Sequence, residues 1–170
     1  MSTNSDETLL LEKARQGDFQ AFADLTEPYR GSACEFLAKL AGEDAAEDVF
    51  MTAVLNAWKA LGTFNGKSSY RTWLFSIARY AALDHLRKVK SRNEVSADDE
   101  ESGPSLASIG DEHAPGPAEG MERDERSRIL EAGLQQLPEH HRTPLILYYY
   151  QNFQYAEIAA TLGAPYVRIF

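Results

Sequence analysis

The chain has 170 residues, 44% of them hydrophobic, which suits one packed domain or two small ones and excludes general disorder. Its single cysteine, Cys34, excludes an internal disulfide framework and fits a reducing compartment. The net charge of −9 argues against nonspecific coating of nucleic acid, no apolar run approaches the roughly 20 residues of a membrane span, and the N-terminus lacks the basic start and apolar core of a secretory signal, so a cytoplasmic protein with no membrane insertion of its own is expected.

Helical spacing dominates residues 8–90. Leu9, Leu10 and Ala14, then Phe19, Phe22, Ala23 and Leu25, recur at three- and four-residue intervals. Gly17-Asp18 reads as a stop followed by a start, with glycine ending one helix and aspartate capping the next. Pro28 bends or divides the second helix, and Gly42-Glu43-Asp44 marks another break. A helix from about Asp44 to Leu61 carries Val49, Phe50, Ala53, Val54 and Ala57 on one side. Gly62 to Lys67 is loop, and Ser68 or Ser69 can cap the helix that follows.

On that last helix Leu74, Ala78, Ala81, Ala82 and Val89 lie to one side, and Arg79, Tyr80, Leu83, Arg87 and Lys90 to the other. Residues 91–118 lose all periodicity and turn to Ser, Gly, Pro, Asp and Glu, the composition of a flexible acidic linker. A helix returns from Glu119 to Gln136. Another begins at or shortly after Pro138 and runs to about Gln151, with a kink or a late start expected from Pro144. Tyr155 to Leu162, closed by Gly163, forms a short helix of the kind a helix-turn-helix uses. The fold class is therefore all-α, with two small helical domains, an N-terminal bundle and a C-terminal helix-turn-helix. The boundaries are 1–90, 91–118 for the linker and 119–170.

Charge is laid out unevenly. From Leu61 to Arg92 seven cations face one acid, Asp84; from Asn93 to Arg126 eleven acids face two arginines. Mean charge thus conceals a basic stretch beside an acidic strap. Within the basic stretch, Phe64 to Leu74 is a short polar loop rich in aromatics that opens a helix with a basic outer side. Taken alone the loop is an ordinary helix connection, since Gly66 and Ser68 are residues that any turn uses. Beside so many cations it reads as a nucleic-acid site. Asn65, Ser68 and Ser69 offer donors and acceptors to base edges, and Lys67, Arg71, Arg79, Arg87 and Lys88 neutralise phosphates. Phe64, Tyr70 and Trp73 can stack on bases at about 1–3 kcal/mol each, although Trp73 sits near the buried edge of its helix and fits the core better.

Other chemistry is not indicated. His113 and His140-His141 have no second cluster at zinc spacing, so no metal is expected. His85 reads as a packed histidine and Cys34 as a small apolar residue. No acid–base pair or Gly-rich phosphate loop points to an enzyme or to a cofactor.

Three segments together resemble a bacterial RNA polymerase sigma factor of the extracytoplasmic-function group. They are Ala45 to Trp58, Phe64 to Lys88, and Leu137 to Arg142 followed by Tyr155 to Ala159. The resemblance implies a transcription initiation factor without enzymatic activity that docks on the clamp of the polymerase core and helps to melt promoter DNA. Its N-terminal domain would flip minus-ten bases into the loop before the basic helix, and its C-terminal domain would read the minus-35 element. It also implies polymerase-facing roles for Glu47, Asp48, Thr52, Leu55 and Asn56, and control by an anti-sigma partner. Two positions depart from the family pattern. Met51-Thr52 stand where the family often has Gln-Glu, and after Gly163 the sequence Ala164 to Phe170 does not continue into a basic recognition helix. An alternative expectation follows from the second departure: a sigma-like decoy or interaction module that binds an anti-sigma protein or polymerase without activating promoters.

Overall fold

In the computed structural model, which describes residues 3–96 and 118–163, every regular element is a helix. The N-terminal unit comprises α1 (Thr3–Arg15), α2 (Phe19–Thr26), α3 (Arg30–Ala41), α4 (Glu43–Ala60) and α5 (Tyr70–Ser96). The C-terminal unit comprises α6 (Ala118–Gln136), α7 (Glu139–Tyr149) and α8 (Tyr155–Leu162).

Each break has a local cause. The Asp18 carboxylate accepts the Ala21 N–H at 3.1 Å and so starts α2. Pro28 has no N–H to give, and the chain tightens there into a 3-10 turn, Glu27–Tyr29, that divides α2 from α3. Gly42, at φ +100°, separates α3 from α4 in a backbone conformation that side-chain-bearing residues avoid. Of the two candidate serines it is Ser69 that caps α5, its hydroxyl accepting the Thr72 N–H at 3.1 Å.

The boundaries differ from the sequence expectation in two places. α5 continues to Ser96, beyond the expected end near residue 90. α7 starts at Glu139 and passes through Pro144 with no late start. The remainder of the expected linker, 97–117, and the expected shortened recognition helix, 164–170, lie outside the described residues. α8 is held at its start by the Glu157 carboxylate, which accepts the Gln154 N–H at 2.8 Å, and at its end by Gly163 at φ +62°.

Two apolar clusters form the interior. One lies within the N-terminal unit, where Ala14 of α1 and Phe22 and Leu25 of α2 meet Ala57, Leu61, Phe64, Tyr70 and Leu74. The other is shared. Phe36, Leu37 and Leu40 of α3, Val49, Phe50 and Ala53 of α4, and Phe75 and Ala78 of α5 close over Ile146 and Leu147 of α7, Phe153 and Ile158. The four C-terminal residues are at most 1% exposed, and burial of each such side chain stabilises by about 1.5–3 kcal/mol. The two helical units therefore share a core across their junction.

Phe22 is fully buried, so Phe22→Ala is expected to lower stability by about 3–5 kcal/mol through lost contact and a residual cavity. Asp18→Ala, which removes only a cap, should cost about 1 kcal/mol. Urea titration followed by far-ultraviolet circular dichroism measures both.

Candidate nucleic-acid and polymerase interfaces

The loop between α4 and α5 is built from a ring cluster outward. Phe64 is 6% exposed and Tyr70 1%. Phe64 meets Tyr70 edge-on at a centroid distance of 6.0 Å and Trp73 at 5.2 Å, and Tyr70 meets Trp73 at 5.7 Å. The Tyr70 hydroxyl shares a hydrogen bond of 2.7 Å with the Thr26 hydroxyl, and burial pushes its pKa up to about 12. From sequence these rings are expected to stack on bases. Phe64 and Tyr70 instead face inward in this conformation, because packing on one another and on α1 and α2 removes more apolar surface from water than a solvent-facing loop allows. Trp73 is half-buried at the edge of the same cluster, as its place on the helix suggested.

The outer rim is polar. Asn65, Lys67 and Ser69 are exposed and Ser68 is half-buried. The Asn65 side-chain oxygen accepts the Lys67 N–H at 3.1 Å, and Gly66 at φ +72° allows that tight turn. Arg15, at the end of α1, donates to the Phe64 carbonyl and lies over its ring at 5.9 Å. Sequence spacing did not reveal Arg15, since it lies 49 residues from its acceptor.

The cations of α5 fall into two groups. Arg87 and Lys88 are exposed near its C-terminal half, and Lys88 pairs with Asp84 one turn earlier at 2.7 Å. Arg71 and Arg79 are engaged by the C-terminal unit. Arg71 donates to the Gln151 carbonyl at 2.5 Å and lies 4.3 Å from the centre of the Phe153 ring. Arg79 holds Glu139 through two contacts, at 2.8 and 3.2 Å, with side-chain exposures of 13% and 24%. Burial pushes the Glu139 carboxyl upward, but the hydrogen bonds from Arg79 and Thr143 and the Arg79 charge outweigh it and hold the group below its usual range.

On α4 the residues expected to face polymerase are all exposed. Asp48, Thr52, Leu55 and Asn56 form one outer face, with the Thr52 hydroxyl donating to the Asp48 carbonyl at 3.0 Å. Glu47 is already committed. It is paired with Arg30 and accepts the Cys34 thiol at 3.2 Å. The Arg30 hydrogen bond lowers its pKa, with the Cys34 contact second. Burial, then Glu47, pushes the half-buried Cys34 thiol up to about 11, so it is uncharged near neutrality. Met51 is 51% exposed on the same face and was not among the expected residues. Among the described residues no group of three or more His, Cys, Asp or Glu is placed to hold a metal ion, and no helix is long and apolar enough to cross a membrane.

A helical bundle bearing a basic helix beside an exposed polar turn, joined to a helix-turn-helix unit, is the arrangement of a sigma-type transcription initiation factor. Residues 25–92 match the family model for Sigma-70 region 2, and residues 127–168 that for Sigma-70 region 4. The RNA polymerase sigma-H factor of Pseudomonas aeruginosa is 32% identical over 169 residues, covering 97% of this chain and 86% of that protein. The ECF RNA polymerase sigma-E factor of Escherichia coli K12 is 29% identical over 171 aligned positions, covering 97% and 87%. Among solved structures, CnrH in complex with the cytosolic domain of CnrY has a TM-score of 0.64 at 22% identity, covering 96% of this chain and 87% of that one. The sigma factor RpoE of Bartonella quintana, in complex with the anti-sigma factor NepR, has a TM-score of 0.58 at 22% identity, covering 86% and 88%. The chain belongs to the extracytoplasmic-function sigma factors of the sigma-70 family. Its function is that of the family: it directs the RNA polymerase core to promoters, and such factors are not themselves enzymes.

The Glu139 shift sets a pH dependence for the contact between the units. A carboxyl held below its ordinary value of 4.5 stabilises the closed form above that value and loses the effect as pH falls through its own lowered pKa. On acidification from about pH 7 to about pH 3.5, the radius of gyration from solution scattering should rise. Glu139→Gln should remove the part of that rise due to this pair, and Arg79→Ala should give a larger radius already at neutral pH.

Proposed function

We propose that the outer rim of the α4–α5 turn receives unpaired bases of the promoter minus-ten element. Asn65, Ser68 and Ser69 would contact base edges, and Lys67 would contact the adjoining phosphates. Arg71, Arg79, Arg87 and Lys88 extend the cationic track along α5, Arg71 and Arg79 only after the C-terminal unit has left them. The observation that carries this reading is the turn itself: a polar, exposed rim fixed from behind by the Phe64–Tyr70–Trp73 cluster. A rim that is already ordered does not lose further backbone freedom when a base is captured, which offsets part of the few kcal/mol needed to unstack it.

On this reading residues 1–90 form the unit for core polymerase and the minus-ten element, 91–118 the linker, and 119–170 the helix-turn-helix unit for the minus-35 element. Asp48, Thr52, Leu55 and Asn56 of α4 face the polymerase clamp, and Glu47 supports them through Arg30. The protein works in the cytoplasm. An anti-sigma partner restrains it, as the solved complex of RpoE with NepR suggests by analogy of fold. Similarity that spans both units supports a promoter-directing factor over an inert decoy.

Open-complex formation with core polymerase tests the turn. Asn65→Ala is expected to reduce promoter melting at a cost of about 1–3 kcal/mol. Lys67→Ala should lower the salt dependence of binding by about one phosphate contact, and Arg71→Ala should weaken melting as well. Unchanged open complexes in all three variants would overturn the assignment.

A further inference from the structure

The 3-10 turn Leu61–Thr63 that follows α4 ends at Phe64. The Phe64 N–H returns to the Leu61 carbonyl at 3.2 Å, while its own backbone swings out to an extended conformation, φ −66° and ψ 112°. An extended residue at a helix end leaves its carbonyl without a partner in that helix. Here the partner comes from α1. Arg15 donates to the Phe64 carbonyl, and its guanidinium lies over the Phe64 ring at 5.9 Å from the centre. A charged donor on a partly buried carbonyl holds it more firmly than a neutral one, and the ring contact adds to the hold. One side chain thus engages both the backbone and the ring of the residue at which the polar rim begins.

The end of α1 delivers Arg15 to this place. Ala14, 2% exposed, sits in the cluster with Phe22, Leu61 and Phe64. The next residue lies about 100° further round the helix, at the margin of that cluster. α1 stops directly afterwards, where Gly17 at φ +96° turns the chain and the Asp18 N–H donates to the Lys13 carbonyl at 3.2 Å. The backbone that bears Arg15 is therefore fixed on both sides of it.

The Phe64 carbonyl and the Asn65 N–H belong to one planar peptide group. Holding the carbonyl holds the plane from which the Asn65 side chain departs. The bond from the Lys67 N–H to the Asn65 side chain shapes the turn beyond that point but does not orient the peptide before it. We infer that Arg15 is a positioning residue for capture of a minus-ten base: it orients the Phe64–Asn65 peptide, so presents Asn65, and acts through the backbone without touching DNA. This rests on the reading of the turn given under Proposed function and extends the site to α1, 49 residues away in sequence. Without the guanidinium the peptide must be ordered again each time a base binds. That cost falls on base capture and not on docking to polymerase.

The test uses the full chain with core polymerase and a promoter duplex that carries a fluorescent adenine analogue in the minus-ten element, bright when unstacked. Arg15→Ala should lower the equilibrium for base capture by about fivefold, and Asn65→Ala by about tenfold or more. The double variant should fall no further than Asn65→Ala alone, because two residues that act through one contact are not additive. In Arg15→Ala the affinity for core polymerase and the salt dependence of capture should both match the parent. Full additivity in the double variant, an equal loss of polymerase affinity, or a salt slope reduced by about one phosphate contact would each overturn the positioning role. If Arg15→Ala captures the base like the parent while Asn65→Ala does not, that role falls and the turn stands. If neither variant loses capture, both readings fall.

Discussion

The insertion of Phe153 between the two helical units governs most of what this molecule presents to its partners. Its ring packs on Phe75 at 5.0 Å, and the Arg71 guanidinium covers it from the side while donating to the neighbouring Gln151 carbonyl. Gln151, itself 3% exposed, reaches back to the Glu35 carboxylate at 3.1 Å. The turn between α7 and α8 is thus bound to α3 and α5 by ring packing, a cation–π contact and buried hydrogen bonds at once. Its polar groups could not be taken out of water singly at so little cost. Further out, Arg79–Glu139 and Lys39–Glu131 add ion pairs around the shared core.

That interlock divides the two proposed functional surfaces. The outer face of α4 is open in the same conformation in which Arg71 and Arg79 of α5 are occupied by the C-terminal unit. The proposed contact with polymerase through α4 needs no rearrangement of the described residues. Full use of the α5 cations requires that the Gln151 carbonyl and the Glu139 carboxylate be replaced, and phosphate oxygens are suited to that exchange because they are anionic acceptors of the same geometry. Of the proposed promoter-binding surface, the share of Arg71 and Arg79 is therefore conditional on domain position, whereas the exposed rim of the turn, Arg87 and Lys88 and the proposed polymerase-binding face are not.

The aromatic residues show how one sequence pattern serves a purpose different from the one it first suggests. Rings beside cations suit single-stranded nucleic acid. In the folded chain the same rings form the platform beneath the turn, with Arg15 closing over Phe64 from another helix. What they supply to the rim is rigidity. Asn65 and Lys67 are displayed by a turn whose shape is set by Gly66 and whose base is set by Tyr70 and Thr26.

Local chemistry made much of the molecule legible in the sequence. Asp18, Pro28, Gly42, Ser69 and Gly163 act through backbone geometry within a few residues, so the helix order and most boundaries could be read directly. The outward face of α4 follows from its period alone. The fate of the α5 cations could not be read in this way, because Arg71 meets Gln151 80 residues away and Arg79 meets Glu139 60 residues away. Nor could the inward turn of Phe64 and Tyr70, which depends on α1 and α2 arriving against them. Periodicity determines which side of a helix is apolar. Only the tertiary structure decides which charges remain available and which rings are covered, because both depend on what the rest of the chain brings into contact.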